Sequence, residues 1–273
     1  MEKQQLQRLK DVLGVPTYTW QEEDLIKFLK EELNNIKGIS YYEDKLGCLY
    51  ITKGSSDVYP CLVAHLDTVH PKVEMVVKEE IQLNAQNQPK LSLKAYETQT
   101  GDPTGIGGDD KAGVFTCMEL LRELDTCKVF FAVAEETGCH GSRQADPDFF
   151  INVGYAIQFD STENNTMSKT LMGVQLYDEK SLFFESVKDI ILDHGYGQWL
   201  YHPYTDTMML KKRFDFPCLN FATGYYRYHT SEEYVVVEDV ENAIQLGRNI
   251  ISKLGNHKYK FIHKEKDYSQ ILF

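Results

Sequence analysis

Three apolar runs restrict the folds open to this chain: Cys61-Leu62-Val63-Ala64, Val129-Phe130-Phe131-Ala132-Val133, and the mostly apolar stretch 155–159. Runs of this length, the first flanked by Pro60 and Pro71, read as buried strands. Helical patterns separate them. Strands alternating with helices imply a mainly parallel sheet covered on both faces. In such sheets ligands gather beyond the carboxyl ends of the strands. His65, the pair Glu135-Glu136, and Asp160 all fall at or just past those ends. The expected fold is therefore α/β, a mixed, mainly parallel sheet sandwiched by helices, in a single domain over residues 1–273.

The rest of the chain fills in that frame. Helical apolar spacing covers 2–13 (Leu6, Leu9, Leu13) and 21–34 (Leu25, Ile26, Phe28, Leu29, Leu33). Gly14 is placed to end the first helix; Asn34, Asn35 and Gly38 close the second. Strands at 40–42 and 48–52 flank the turn 43–47. Residues 73–77 and 90–96 read as antiparallel edge strands around the polar loop 84–89, a small β insertion over about 73–96. A helix opens at Asp109-Asp110-Lys111-Ala112-Gly113 and runs to about Leu124; a strand spans 128–134. A helix at 181–192, a strand at 217–221 and a long helix at 238–254 follow. The basic, aromatic tail 258–273 reads as less ordered.

A net charge of -12 argues against nucleic acid and against anionic membrane surfaces as partners. No stretch approaches the roughly 20 apolar residues that cross a bilayer. The start, Met1-Glu2-Lys3-Gln4-Gln5, is polar and mixed in charge, unlike a signal peptide. The six cysteines form no Cys-x-x-Cys pair, and most sit in apolar surroundings, as reduced thiols do. A cytoplasmic protein is expected.

On a strand, His65 and Asp67 share a face. Alone, the pair is most simply a core histidine satisfied by an aspartate. Four more pieces change that: Gly105-Ile106-Gly107-Gly108-Asp109-Asp110-Lys111, Glu135-Glu136-Thr137-Gly138, Asp160, and Tyr228-His229-Thr230-Ser231-Glu232-Glu233. If they converge, Asp67, Asp109, Glu135, Glu136 and Asp160 crowd carboxylates into one cleft. Away from water such groups protonate or require cations. Imidazole with carboxylate suits zinc first, then cobalt or manganese.

In this order the pieces resemble the co-catalytic dinuclear zinc exopeptidases, the M20, M28 and M42 groups that include peptidase T and glutamyl aminopeptidase types. The resemblance implies two Zn2+ per chain, with Co2+ or Mn2+ as substitutes. It implies His65 and Asp160 on one ion, Glu136 and His229 on the other, and Asp109 bridging both, with a cis peptide after Asp109. A helix start at Asp109 would let backbone N–H groups steady its carboxylate. Asp67 would hydrogen-bond the His65 ring. Glu135 would be general base and acid for a water between the ions. The implied reaction is hydrolysis of short peptides from the amino end. An N-acyl amino acid is the alternative substrate, and a non-catalytic metal-binding module is a third reading, which Glu135 argues against.

The pattern departs from M20 enzymes between Asp160 and His229. Residues 161–228 are too few for the lid domain inserted there. The segment from Tyr204-Thr205-Asp206-Thr207 to Phe216-Pro217-Cys218-Leu219 is more similar to M28 and M42 members, so a lidless single domain is expected. Oligomeric state is left open. Asp206 reads equally as a site residue or a helix N-cap. Arg227 reads as a surface or supporting ion pair before a substrate contact. His70, His140, His194 and His202 read as solvated or supporting histidines, and Tyr225, Tyr226 and Tyr228 as cleft or core.

Overall fold

The computed structural model describes residues 1–199 and 204–260. Two helices lead, α1 (Lys3–Gly14) and α2 (Glu23–Leu33), then β1 (Ile39–Glu43), β2 (Leu49–Lys53) and β3 (Tyr59–His65). Next come β4 (Met75–Leu83), β5 (Pro89–Glu97), the short β6 (Pro103–Thr104), α3 (Gly108–Glu123) and β7 (Cys127–Ala132). Two small helices, α4 (His140–Gln144) and α5 (Pro147–Phe150), precede β8 (Val153–Ser161), β9 (Thr166–Ser168), β10 (Thr170–Leu171) and β11 (Val174–Gln175). The last described elements are α6 (Leu182–Asp193), β12 (Gln198–Trp199), α7 (Asp206–Phe214), β13 (Cys218–Ala222), β14 (Tyr225–Tyr226), β15 (Tyr234–Val236) and α8 (Val237–Leu254).

The central sheet has the strand order β1-β2-β7-β3-β8-β13-β9-β12. Its middle strands β7, β3, β8 and β13 are mutually parallel, while β1, β2 and β9 pair antiparallel. Every residue of those four central strands is buried, which is why they appear as unbroken apolar runs. Side chains on β8 show the two layers. Phe159 points to α8, where a Cβ on Gly247 would come within 2.8 Å of its ring. Its neighbour Gln158 points the other way and accepts from the Thr207 N–H of α7 at 2.9 Å. The sheet is thus sandwiched, as its alternating strands and helices require.

The stretch expected as edge strands belongs instead to a second sheet, ordered β14-β15-β5-β4, with β6 on β5. β4 and β5 pair from Met75↔Glu97 to Leu83↔Pro89. β5 then takes β15 as its other neighbour, with Val235 opposite Leu93. That partner comes from far along the chain, so no local pattern announces it. Of the two strands β4 remains an edge, and its alternating burial leaves Val76, Ile81 and Leu83 exposed. Residues 227–233, including His229, form the connection between β14 and β15. The second sheet therefore carries that loop to the central strands.

Between Asp160 and His229 the described residues hold short strands, α6 and α7, and no lid domain. Among the described residues no helix is long and apolar enough to cross a membrane. Of the tail, Tyr259 packs on the body: its ring lies 5.9 Å from Tyr155, and its hydroxyl donates to Leu254 O at 2.8 Å. The rest of the tail and His202 lie outside the described residues. All six cysteines are free and buried.

Candidate metal centre

The structure brings His65, Asp109, Glu136, Asp160 and His229 together. His65 ends β3, and Asp160 sits one residue before the end of the adjacent β8. His65 Nε2 lies 3.2 Å from Asp109 Oδ1 and 3.8 Å from Asp160 Oδ1. His229 Nε2 lies 3.4 Å from the other oxygen of Asp109, Oδ2, and 2.9 Å from Glu136 Oε1. One atom each of His65, Asp109 and Glu136 falls within a 4.8 Å span, and so does one each of His65, Asp110 and Asp160. The Asp109–Asp110 peptide is cis. Both residues depart from helical torsions, so a kink within the first turn of α3 aims the Asp109 carboxylate, not a regular helix start as expected.

These donors fit divalent cations. His65 Nδ1 lies 3.0 Å from the Asp67 carbonyl, which only accepts, so this nitrogen carries the proton. The Nε2 lone pair then faces carboxylate oxygens, an arrangement that a cation or an extra proton must relieve. Among the described residues, the ion pairs of Asp109, Asp160 and Glu136 are with histidines alone. The cluster is accordingly strongly negative. Burial would depress the His65 pKa, yet Asp109, Asp160 and Asp67 together hold it well above its ordinary value. Hydrogen bonding to Asp109 and Glu136 pushes His229 up to about 10.

Asp67 does more than meet the His65 ring. Its backbone carbonyl makes the shorter contact with that ring, and its Oδ1 lies 3.4 Å away. The carboxylate also accepts from the N–H groups of Glu135 (2.9 Å) and Glu136 (3.1 Å) and from Thr19 Oγ1 (2.9 Å). Asp67 therefore fixes the backbone turn that splits the acidic pair. Glu136 faces His229. Glu135 is buried, with Cys139 Sγ donating to its Oε1 at 3.3 Å. Burial, together with Asp160, Asp206 and Glu136, pushes the Glu135 pKa well up, against the pull of His65.

Further residues support the cluster, of which Asp110 and Gln158 carry no assigned role in the sequence. Asp110 accepts from His65 N–H at 3.2 Å, and its Oδ1 has no partner. It packs so closely on Gly113 that a Cβ there would come within 2.2 Å of that oxygen. Its place beside Asp109 was the available signal. Gln158 Nε2 donates to Asp160 Oδ2 at 3.1 Å, and the Tyr225 hydroxyl to Asp160 Oδ1 at 3.3 Å. The motif lysine, Lys111, points away from the acids and donates to Leu13 O (2.6 Å) and Val15 O (3.0 Å), closing the C-terminus of α1.

Asp206 is not an N-cap: Thr205 holds that position and Asp206 lies in the first turn of α7. Its carboxylate is buried with both oxygens unpartnered, and burial lifts its pKa from 3.8 to about 7, with Asp160 and Asp67 adding to the rise and His65 opposing it. His70 is buried against Glu233. His140 packs on Trp20, and His194 bonds Asn242 and Asn249. Arg227 is exposed over the Tyr234 ring. Tyr226 turns from the cluster to donate to Asp239 at 2.7 Å. Over the cluster opens a cavity of about 380 Å3, lined by Val69, Tyr204 and Tyr228 together with Asp109, Glu135, Glu136, Asp160 and His229.

Solved structures share this architecture. An aminopeptidase, PepT, from Bacillus cereus is 15% identical, with a TM-score of 0.71 over 92% of this chain and 98% of its own. A tripeptidase from Staphylococcus aureus is 13% identical, also at 0.71, covering 92% of this chain and 98% of its own. The Pyrococcus horikoshii TET1 peptidase, which can assemble into a tetrahedron or a large octahedral shell, is 14% identical at 0.61, covering 89% and 97%. At such identities the likeness establishes the fold. No curated protein matches the sequence. The family model of the M42 glutamyl aminopeptidases matches residues 90–246, more than half of the chain and a span holding four of the five clustered residues. With that match and the matching fold, this chain belongs to the M42 glutamyl aminopeptidase family and is a metallopeptidase that hydrolyses peptide bonds.

Proposed function

We propose that the chain is a dinuclear zinc aminopeptidase for short peptides, with residues 1–273 acting as one cytoplasmic catalytic unit. The observation that carries this reading is the double exposure of Asp109, whose two oxygens face two different imidazoles. His65 and Asp160 would hold one ion, Glu136 and His229 the other, and Asp109 both. Zn2+ is the first choice for this donor set, with Co2+ or Mn2+ as substitutes. Bound there, the ions would polarise the scissile carbonyl and acidify a water.

The protein's own groups do the remaining work. Glu135 borders the cavity, and its raised proton affinity suits a base that takes a proton from the attacking water and passes it to the leaving amine. Asp67 keeps Glu135 and Glu136 pointing apart by holding both backbone N–H groups. Val69, Tyr204 and Tyr228 give the cavity an apolar wall against which a peptide side chain can pack. The surplus of carboxylates favours a protonated α-amine over an α-carboxylate, which supports cleavage from the amino end.

Zinc-loaded protein offered free di- and tripeptides, their N-acetylated forms, and N-acyl amino acids tests this reading. Release of the first residue from free peptides, with blocked ones inert, is expected. Turnover of acyl amino acids alone would move the assignment to an amidohydrolase. No turnover by protein holding two ions would leave a non-catalytic module.

A further inference from the structure

Three of the sequence pieces meet at a carboxylate outside the candidate ligand set. Glu233 is fully buried at the end of the loop that carries His229, just before β15. Its Oε2 accepts from Gly107 N–H at 2.9 Å and lies 2.7 Å from His70 Nε2. Its Oε1 accepts from Asp109 N–H at 3.1 Å. His70 lies on the segment that follows His65. One side chain thus ties together the loops bearing His65, Asp109 and His229.

The surroundings are shaped to this contact. Gly105 lies against the His70 ring so closely that a Cβ would come within 2.1 Å of it. Gly107 takes a left-handed backbone, φ +67°, where its N–H meets the carboxylate. A Cβ on Gly108 would come within 2.7 Å of Tyr225 and Val235 and 3.3 Å of Glu233 Oε1. The glycine-rich run before Asp109 is therefore a mould around the His70–Glu233 pair.

The His229 loop has few other anchors. Thr230 Oγ1 donates within the loop to Arg227 O at 2.7 Å, and Glu232 pairs with Lys94 at 2.6 Å with its own side chain half-exposed. His229 has φ +61° and a side chain 40% exposed. A buried carboxylate with three charge-assisted bonds is a far stiffer tie than either. We propose that Glu233, seconded by His70, is a positioning residue for the cation site formed by Glu136 and His229. It sets the separation of Asp109 from His229, and with it the affinity of that ion. The ion at His65 and Asp160 rests on strand ends and depends on Glu233 far less. This inference rests on the dinuclear reading above.

The test is metal binding, not turnover. Wild type, Glu233→Gln, His70→Leu and His70→Gln are dialysed against graded free zinc, and bound zinc per chain is measured; cobalt-loaded samples report each site by absorption. In Glu233→Gln an amide NH2 must confront N–H donors. That variant should hold one ion as wild type does and the second about 10–100-fold more weakly, the range for lost outer partners of a metal site. His70→Leu should show a smaller loss at the same site, and His70→Gln, which still donates, should restore most of it. Both ions at wild-type affinity, or equal weakening of both, would overturn the proposal. If Glu233→Gln does not fold, the His70 pair decides by the same readout. Wild type with fewer than two ions would instead sink the dinuclear reading.

Discussion

The two halves of the candidate metal centre are built differently. His65 and Asp160 stand on neighbouring parallel strands, each 1% exposed, in the most buried part of the central sheet. Asp160 is held from several sides: its carboxylate by Gln158 and Tyr225, its backbone by both side-chain ends of Asn220. Glu136 and His229 stand on loops, one fixed by Asp67 and the other delivered by the second sheet. Asp109 joins the halves. A strand end is located by the whole sheet ladder, whereas a loop is located by the few bonds that close it. The strand half should therefore couple to fold stability and the loop half to metal affinity.

The largest effect is expected where the halves share a residue. Asp109→Ala should lose both ions and all measurable peptidase activity; zinc analysis still finding two per chain would remove Asp109 from its bridging place. Glu135→Gln should come next, keeping both ions while slowing turnover at least about a hundredfold, the scale of a lost general base. Loss of metal in step with rate would make Glu135 a ligand instead.

Two substitutions set the halves against each other. In metal-free protein, Asp160→Ala strands the Gln158 amide and the Tyr225 hydroxyl in the interior and should cost about 1–3 kcal/mol of unfolding free energy. His229→Ala removes ion pairs to Asp109 and Glu136 that water screens on its half-exposed loop, and should cost less, no more than about 1 kcal/mol. Equal destabilisation in denaturant melts would mean that strand half and loop half are coupled to the fold alike.

A further test concerns Asp206, behind both halves. Its pKa rises on folding, so the folded state holds the extra proton between the two values. Stability should then fall as pH rises from about 4 to about 7, across the window from an ordinary 3.8 to the folded value of about 7. In metal-stripped protein Asp206→Asn should flatten that slope. A variant with an unchanged slope would place the pH dependence elsewhere.

Particular residues mark how far the sequence could be read. The five candidate ligands were legible because each follows or precedes a strong local signal, an apolar run or a glycine-rich turn. The Glu135-Glu136 pair after such a run was too unusual for an exposed loop. Asp67 was legible as a neighbour of the His65 ring but not in its hold on the Glu135 and Glu136 N–H groups, since the turn that presents them is set in space. Gln158 gave no signal: a glutamine inside an apolar strand reads as an interruption until the N-terminus of α7 is seen against it. His70 and Glu233 sit far apart in the chain, and each alone reads as a polar side chain in water. The edge-strand reading of 73–96 holds for β4 but not for β5, because β15, which pairs with β5, arrives from the other end of the chain.

Alone, the order of residues determined the sheet and its helices, through the period of apolar side chains, and determined which groups can bind a cation, through their chemistry. The packed chain decided which acid faces which imidazole, which backbone N–H groups Asp67 and Glu233 hold, and how the second sheet brings His229 to the strands. Periodicity is a property of neighbours along the chain, whereas those pairings are a property of neighbours in space, set only when distant segments compete to bury the same surface.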